Sequence, residues 1–242
     1  MRLHHMTWPD VEAYLKRSRG IIVPIGSTEQ HGPNGPIGTD AICPEHVAVT
    51  VGEVDGVLVA PTIAFGMAQH HLAFPGTMSL KPGTLLLVLK DLIGSLARHG
   101  FDRIYFLNGH GGNIATVTAA FSEVYAEMGA AAPRLKLHSW FIGPRVRMLS
   151  RELYGDSEGS HATPSEVALA WHAWPHAVRE VEMSPKVAPK GAIRDADDYR
   201  RQFPDGRIGS DPSLAKVDDG VRLLEAATED VRESFQAFVG EN

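Results

Sequence analysis

Residues 103–113 read Arg-Ile-Tyr-Phe-Leu-Asn-Gly-His-Gly-Gly-Asn, and they indicate how the whole chain folds. The apolar run within 103–107 predicts a buried strand, and the glycine-rich turn after it predicts a sharp change of direction. Residues 114–128 then carry apolar side chains at helical spacing. A strand, a glycine-rich turn and a helix in that order are typical of a βαβ unit with parallel strands.

The same alternation of strand and helix extends in both directions along the chain. Apolar, β-branched runs predict further strands at 21–25, 57–61 and 135–140. Capping residues and helical spacing predict helices that start at Thr7 and at Pro44, and one that runs from Pro82 to His99. We therefore predict a single α/β domain over 1–242, with an irregular excursion over about 175–212 and a C-terminal helix over about 213–240.

The composition limits the classes of function. The 242 residues carry 23 basic and 29 acidic side chains, a net charge of −6, which argues against nucleic acid or an anionic membrane as the main partner. No long apolar window and no signal-like N-terminus are visible, so we expect a cytoplasmic protein. Twelve histidines stand beside one cysteine, so any transition-metal site must use imidazole and carboxylate ligands.

Polar side chains follow the first predicted strand, where an open α/β sheet binds its ligands. Glu29 and His31 are two residues apart in an extended segment, a spacing that places both on one face. Asp40 follows across a turn rich in proline and glycine. A glutamate, a histidine and an aspartate at one strand end suit Zn²⁺, Mn²⁺ or Fe²⁺. A surface loop with scattered polar residues remains the alternative for so short a motif.

Two further loops at the same predicted edge carry candidate residues. His110 stands among three glycines, and a phosphate-binding loop is the alternative there, weakened by the absence of the P-loop lysine. His161 precedes a helix start at which Thr163, Pro164 and Glu166 match a capping box, so a structural role is the alternative for Glu166. Three such loops at one sheet edge favour a shared site over coincidence.

At these loops the chain resembles the creatininase family of metal-dependent amidohydrolases. The matching segments are 26–32 with Thr39-Asp40, 74–77, 108–113 and His161-Ala162 with Glu166. The resemblance implies a three-layer α/β/α fold with a mostly parallel central sheet. It also implies a site for two divalent metal ions, zinc or manganese with iron also compatible, and a homo-oligomer that is often a hexamer.

The resemblance implies a role for each matching residue. The metal ligands it implies are Glu29, His31, Asp40, His110 and Glu166, with Asp40 bridging both ions. The catalytic residues it implies are His161, as a proton donor, and Glu166. The substrate contacts inferred around the loops are His71, Gly111 and Gly112.

Departures from the family pattern bear on the substrate. Creatininases proper carry bulkier and acidic residues where this chain has Gly111 and Gly112, which argues against creatinine itself. We therefore predict an amidohydrolase that cleaves a non-peptide C–N bond of a small cyclic amide or formamide through a hydroxide shared by two metals. The alternatives are a peptidase that trims a cofactor-precursor peptide, a metal-binding homologue without turnover, and a nucleotide-binding Rossmann protein.

Overall fold

Four parallel strands form the central sheet of the computed structural model, which describes residues 1–240. The strands are β1 (Gly20–Ile25), β2 (Leu58–Val59), β3 (Arg103–Asn108) and β4 (Arg134–Ser139). Their order across the sheet is β2-β1-β3-β4, and β1 pairs with β3 from Gly20 opposite Arg103 to Ile25 opposite Asn108. The predicted strands are all present, and the parallel sheet is confirmed.

Eight α-helices pack around this sheet in the described part of the chain. They are α1 (Trp8–Leu15), α2 (Thr39–Asp55), α3 (Pro82–Arg98), α4 (Ile114–Met128), α5 (Pro144–Tyr154), α6 (Pro164–Ala173), α7 (Ala196–Gln202) and α8 (Val217–Gly240). Helix α4 has the predicted bounds, and α3 ends one residue before the predicted end. Over residues 1–240, no helix has both the length and the apolar composition needed to cross a bilayer.

Side chains of the strands alternate between two cores because successive residues of a strand point to opposite faces. On one face, Ile21 and Val23 of β1 pack with apolar side chains of α3 and α4. On the other face, Ile22 and the β3 residues Tyr105 and Leu107 pack with side chains of α2, α6 and α8. Helices therefore cover both faces of the sheet, and the predicted three-layer α/β/α architecture is confirmed.

The predicted start of α2 was wrong. Pro44 suggested a first turn, but the helix begins at Thr39, so Asp40 lies in that turn and not in the preceding loop. Proline lacks the N–H that would donate to the carbonyl four residues earlier, here that of Asp40. This carbonyl packs directly beneath Gly26 and Gly109, the residues that follow β1 and β3. The packing of these three backbone segments therefore decides where α2 begins, although Pro44 by itself favours a helix that starts near residue 44.

The excursion over 175–212 contains one helix that the sequence analysis did not predict. Asp195 caps α7 by accepting a hydrogen bond from a backbone N–H of its first turn. The buried rings of Tyr199 and Phe203 form a small cluster with Phe74. A helix of only seven residues repeats its apolar face too few times to give a periodic signal.

Gly109→Ala tests the close approach beneath β3. An added methyl group would overlap the carbonyl oxygen of Asp40 and lie 2.8 Å from the ring carbons of Pro44, and neither group can move without shifting α2. We expect a loss of about 1–3 kcal/mol in the free energy of unfolding, measured by urea denaturation. Gly111→Ala is the control, since nothing lies within 4 Å of a methyl group there. Equal stability of the two variants would contradict the packing described.

Candidate metal centre

Four polar side chains meet where β1 and β3 end. Glu29 and His31 follow β1, His110 follows β3, and Asp40 comes from the first turn of α2. The Nε2 atom of His31 lies 3.1 Å from Oδ1 of Asp40, and Nδ1 of His110 lies 2.9 Å from its Oδ2. The same Nδ1 atom is 3.3 Å from Oε1 of Glu29. Each oxygen of Asp40 thus contacts a different imidazole.

Glu166 joins this cluster from the start of α6. Its Oε1 atom lies 4.0 Å from Nε2 of His31. The predicted capping box is present: the backbone N–H of Thr163 donates to Oε1 of Glu166 at 2.6 Å, and the Thr163 hydroxyl accepts from the Glu166 N–H at 3.2 Å. The cap therefore does not exclude Glu166 from the site, because it holds the carboxylate beside His31.

The donor atoms form two groups of three that share one residue. Glu29, Asp40 and His110 make one group, and His31, Asp40 and Glu166 make the other; within each group the ligand atoms lie within 4.8 Å of one another. Glu29, His31 and His161 make a third group of three within the same distance. Two carboxylates and an imidazole in each of the first two groups suit Zn²⁺, Mn²⁺ or Fe²⁺.

Buried carboxylate oxygens without well-formed hydrogen bonds favour a metal at this place. Glu29 is fully buried and Asp40 nearly so. Among the described residues, neither carboxylate oxygen of Glu29 nor Oδ2 of Asp40 accepts a hydrogen bond of good geometry, although imidazole nitrogens lie 2.9–3.3 Å from two of these oxygens. Burying an ionised carboxylate without a partner costs several kcal/mol, roughly. A divalent cation would neutralise these charges, so the residues present fit such an ion.

The pKa values of the cluster show how strongly these charges interact. Burial, together with the charge of Asp40, raises the pKa of Glu29. Burial opposes protonation of His31, but Asp40 beside it raises its pKa to about 10. Burial likewise opposes protonation of His110, while Glu29 and Asp40 raise its pKa to about 9. Protons on these imidazoles balance the carboxylates, and metal ligation requires that those protons leave.

Gln30 was missed by the sequence analysis, although it lies within the matching segment 26–32. Its side-chain Nε2 lies 2.9 Å from Nε2 of His161 and 3.1 Å from Nδ1 of His71, and it donates to the carbonyl of Gly206 at 3.0 Å. It also donates to the hydroxyl of Tyr199 at 3.1 Å. One amide group therefore connects two histidines of the site to the excursion over 175–212.

The predicted substrate contacts separate into different environments. Gly111 lines a large cavity at the site. His71 is buried, with its Nε2 atom 3.0 Å from Oε1 of Glu29, and does not line that cavity. Gly112 does not line it either, because it packs against the ring of His110, where a side chain would overlap. The structure thus places His71 and Gly112 behind the donor cluster, where they support its side chains.

The cavity has a volume of about 930 Å³ and opens onto the donor cluster. Asp40, His110, His161 and Glu166 form its polar end. Its other walls include Trp140, Phe141, Arg147, Met148, Arg151 and Glu158. Cavities of this size accept ligands with the dimensions of a typical drug molecule.

Comparisons with known proteins identify the family. The creatininase model, described as creatinine amidohydrolase, matches residues 4–235, and the chain belongs to the creatininase family. The resemblance seen in the sequence is confirmed. The structure superposes on a solved creatininase described as "Creatininase Mn" with a TM-score of 0.87 and 25% identity, over 99% of each chain.

Two curated relatives differ in how much of the chain they match. Creatinine amidohydrolase of Pseudomonas putida is 26% identical over 247 residues, covering 96% of this chain and 94% of that protein. Mycofactocin precursor peptide peptidase of Mycolicibacterium smegmatis is 43% identical over 106 residues, covering 41% of this chain and 42% of that protein. The chain thus matches less than half the length of the peptidase. Both relatives are hydrolases, and they support a hydrolase here.

Loss of metal on removal of a donor tests the site. We expect His31→Ala and Asp40→Ala to reduce bound metal strongly, because Asp40 belongs to both three-residue groups and His31 to one of them. Metal content of the purified proteins is measured by emission spectrometry. His99→Ala is the matched control, since this histidine is exposed at the end of α3. Full metal content and activity in the His31 and Asp40 variants would exclude the site.

Proposed function

We propose that this chain is a metal-dependent hydrolase that cleaves an amide C–N bond and acts as one subunit of a homo-oligomer. The observation that carries the proposal is the set of buried carboxylate oxygens on Glu29 and Asp40 that accept no well-formed hydrogen bond, beside the imidazoles of His31 and His110. Asp40 and His110 of this set line a cavity large enough for an organic substrate. Membership of a hydrolase family supports the same reaction class.

The two three-residue groups define which residues would hold the ions. Glu29, Asp40 and His110 would hold one, His31, Asp40 and Glu166 the other, and Asp40 would be shared. Zinc or manganese bound there supplies a Lewis acid for the scissile carbonyl and activates water at neutral pH. The manganese in the description of a solved relative supports this choice of metals.

His161 is placed to move a proton during the reaction. It lines the cavity, its ring lies 4.8 Å from that of His31, and its Nδ1 atom is 4.0 Å from Oε1 of Glu29. Burial, helped by His71 and His31, lowers its pKa well below the usual value. The position of His161 beside the donor cluster and the cavity suits a general acid–base group that takes a proton from the attacking water and passes it to the leaving nitrogen.

His161→Ala is expected to keep its metal but to lower kcat by about 10²–10⁴, the usual effect of losing a general acid–base group. Metal content and steady-state kinetics on the same preparation separate these two effects. His176→Ala serves as the control, because this exposed histidine lies outside the cavity. Unchanged turnover would remove His161 from the mechanism.

Two substrate classes follow from different observations. A cyclic amide or formamide is the class that the sequence predicts. A peptide bond is the second class, favoured by the volume of the cavity and by the partial match to a peptide peptidase.

A panel of amides tests the reaction itself. We expect the metal-loaded protein to hydrolyse at least one member of a panel of creatinine, other cyclic amides, formamides and short peptides, and to lose that activity in EDTA. Product formation is followed by chromatography, with the Asp40→Ala variant as the blank. A metal-loaded protein that hydrolyses no member of the panel would favour a metal-binding homologue without turnover.

A further inference from the structure

Two arginines of α5 line the cavity without partners of their own. Arg147 and Arg151 are four residues apart, so they emerge from the same face of the helix. Both are exposed, and neither guanidinium makes a hydrogen bond or an ion pair with any residue in 1–240. Arg145 of the same helix behaves differently, because its Nη1 atom lies 3.0 Å from Oδ1 of Asp230.

The chain is acidic overall, with a net charge of −6, so carboxylates are available to pair with its basic side chains. Other arginines, such as Arg2, Arg222 and Arg232, form ion pairs with nearby carboxylates. Like charges four residues apart also destabilise a helix. The guanidiniums of Arg147 and Arg151 therefore stabilise no contact among the described residues. An anionic ligand in the cavity would supply the partner that they lack.

Helix α5 holds this pair in a defined position. Asp230 of α8 accepts hydrogen bonds from the backbone N–H groups of Arg145 at 3.0 Å and Val146 at 3.1 Å, which anchors the start of α5. The side chains of Val146 and Tyr154 are buried in the core. The exposed side chains of Arg147 and Arg151 therefore project from a helix that these contacts hold in place.

The remaining walls indicate what joins the anion to the reacting group. Trp140, Phe141 and Met148 line the same cavity, and Met148 is 69% exposed. One carboxylate outside the donor cluster, that of Glu158, also lines the cavity; its Oε1 atom accepts a hydrogen bond from the hydroxyl of Ser165, and its Oε2 atom has no hydrogen-bond partner among the described residues. The cavity thus combines a metal-binding end, apolar side chains and a cationic wall.

We propose that Arg147 and Arg151 form an anion subsite, and that the substrate carries a carboxylate or phosphate group joined through an apolar portion to the scissile amide. Paired guanidiniums bind such groups through several charge-assisted hydrogen bonds. The subsite deepens the proposed function and rests on it for the amide. Creatinine, a small ring without an acidic group, lacks this feature.

Equilibrium binding to the metal-loaded protein tests the subsite without requiring turnover. The probes share an aromatic body and contain no amide: 4-phenylbutanoate, 3-phenylpropyl phosphate and the neutral 4-phenylbutanol. We expect at least one anionic probe to bind tenfold more tightly than the alcohol in isothermal titration calorimetry. The double variant Arg147→Gln/Arg151→Gln should lose that preference while retaining its metal, and the tighter of the two anions identifies the preferred group.

Arg98→Gln is the matched control, because Arg98 is exposed on α3, has no ion pair among residues 1–240 and does not line the cavity. An anion that binds the double variant as tightly as the unchanged protein would sit on the metal or elsewhere, and would overturn the proposal. Equal binding of the anionic and neutral probes, or no binding of either, would overturn it too.

The binding experiment tests the subsite and the amide panel tests the reaction, so a negative result in one does not decide the other. If the anionic probes bind more tightly than the alcohol through the two guanidiniums, but no amide is hydrolysed, the subsite is supported and the proposed reaction is excluded. Hydrolysis without that preference would leave the reaction and remove the subsite.

Discussion

The packing of the first turn of α2 beneath the ends of β1 and β3 is the constraint on which the site depends. The carbonyl of Asp40 leaves no room for a side chain at Gly26 or at Gly109. Because both residues are glycines, the three backbone segments come into direct contact. The carboxylate of Asp40 consequently lies between the histidines that follow the two strands. A larger residue at either glycine would separate the groups that must share a ligand.

Burial gives this arrangement its chemical character. Carboxylates and imidazoles in contact, shielded from water, interact far more strongly than they would at the surface. Burial and the charge of Asp40 raise the pKa of Glu29, and Asp40 raises that of His31 against the effect of burial, so the cluster holds protons that balance its negative charge. A divalent ion bound there would supply this positive charge in place of the protons. The buried charge of the carboxylates is therefore the physical link between the fold and the proposed hydrolysis.

Local patterns predicted most elements of the fold but not all of them. Helix α4 and strand β3 were predictable because their periodicities are complete within a few residues. The start of α2 was not, because Pro44 in isolation resembles a first-turn proline, and only the packing of Asp40 shows otherwise. Tyr199, whose hydroxyl accepts from the side chain of Gln30, is 169 residues away from it, and no local signal connects the two.

The sequence alone specified the donor chemistry: one cysteine, many histidines, and acidic residues at the ends of predicted strands. Residue type and short spacing are enough for that, because they do not depend on distant contacts. The resemblance already implied a shared role for Asp40, whereas only the tertiary structure showed that His71 lies behind Glu29 and that the guanidiniums of Arg147 and Arg151 line the cavity. Those relations arise from the packing of helices on both faces of the sheet, which joins residues that are far apart along the chain.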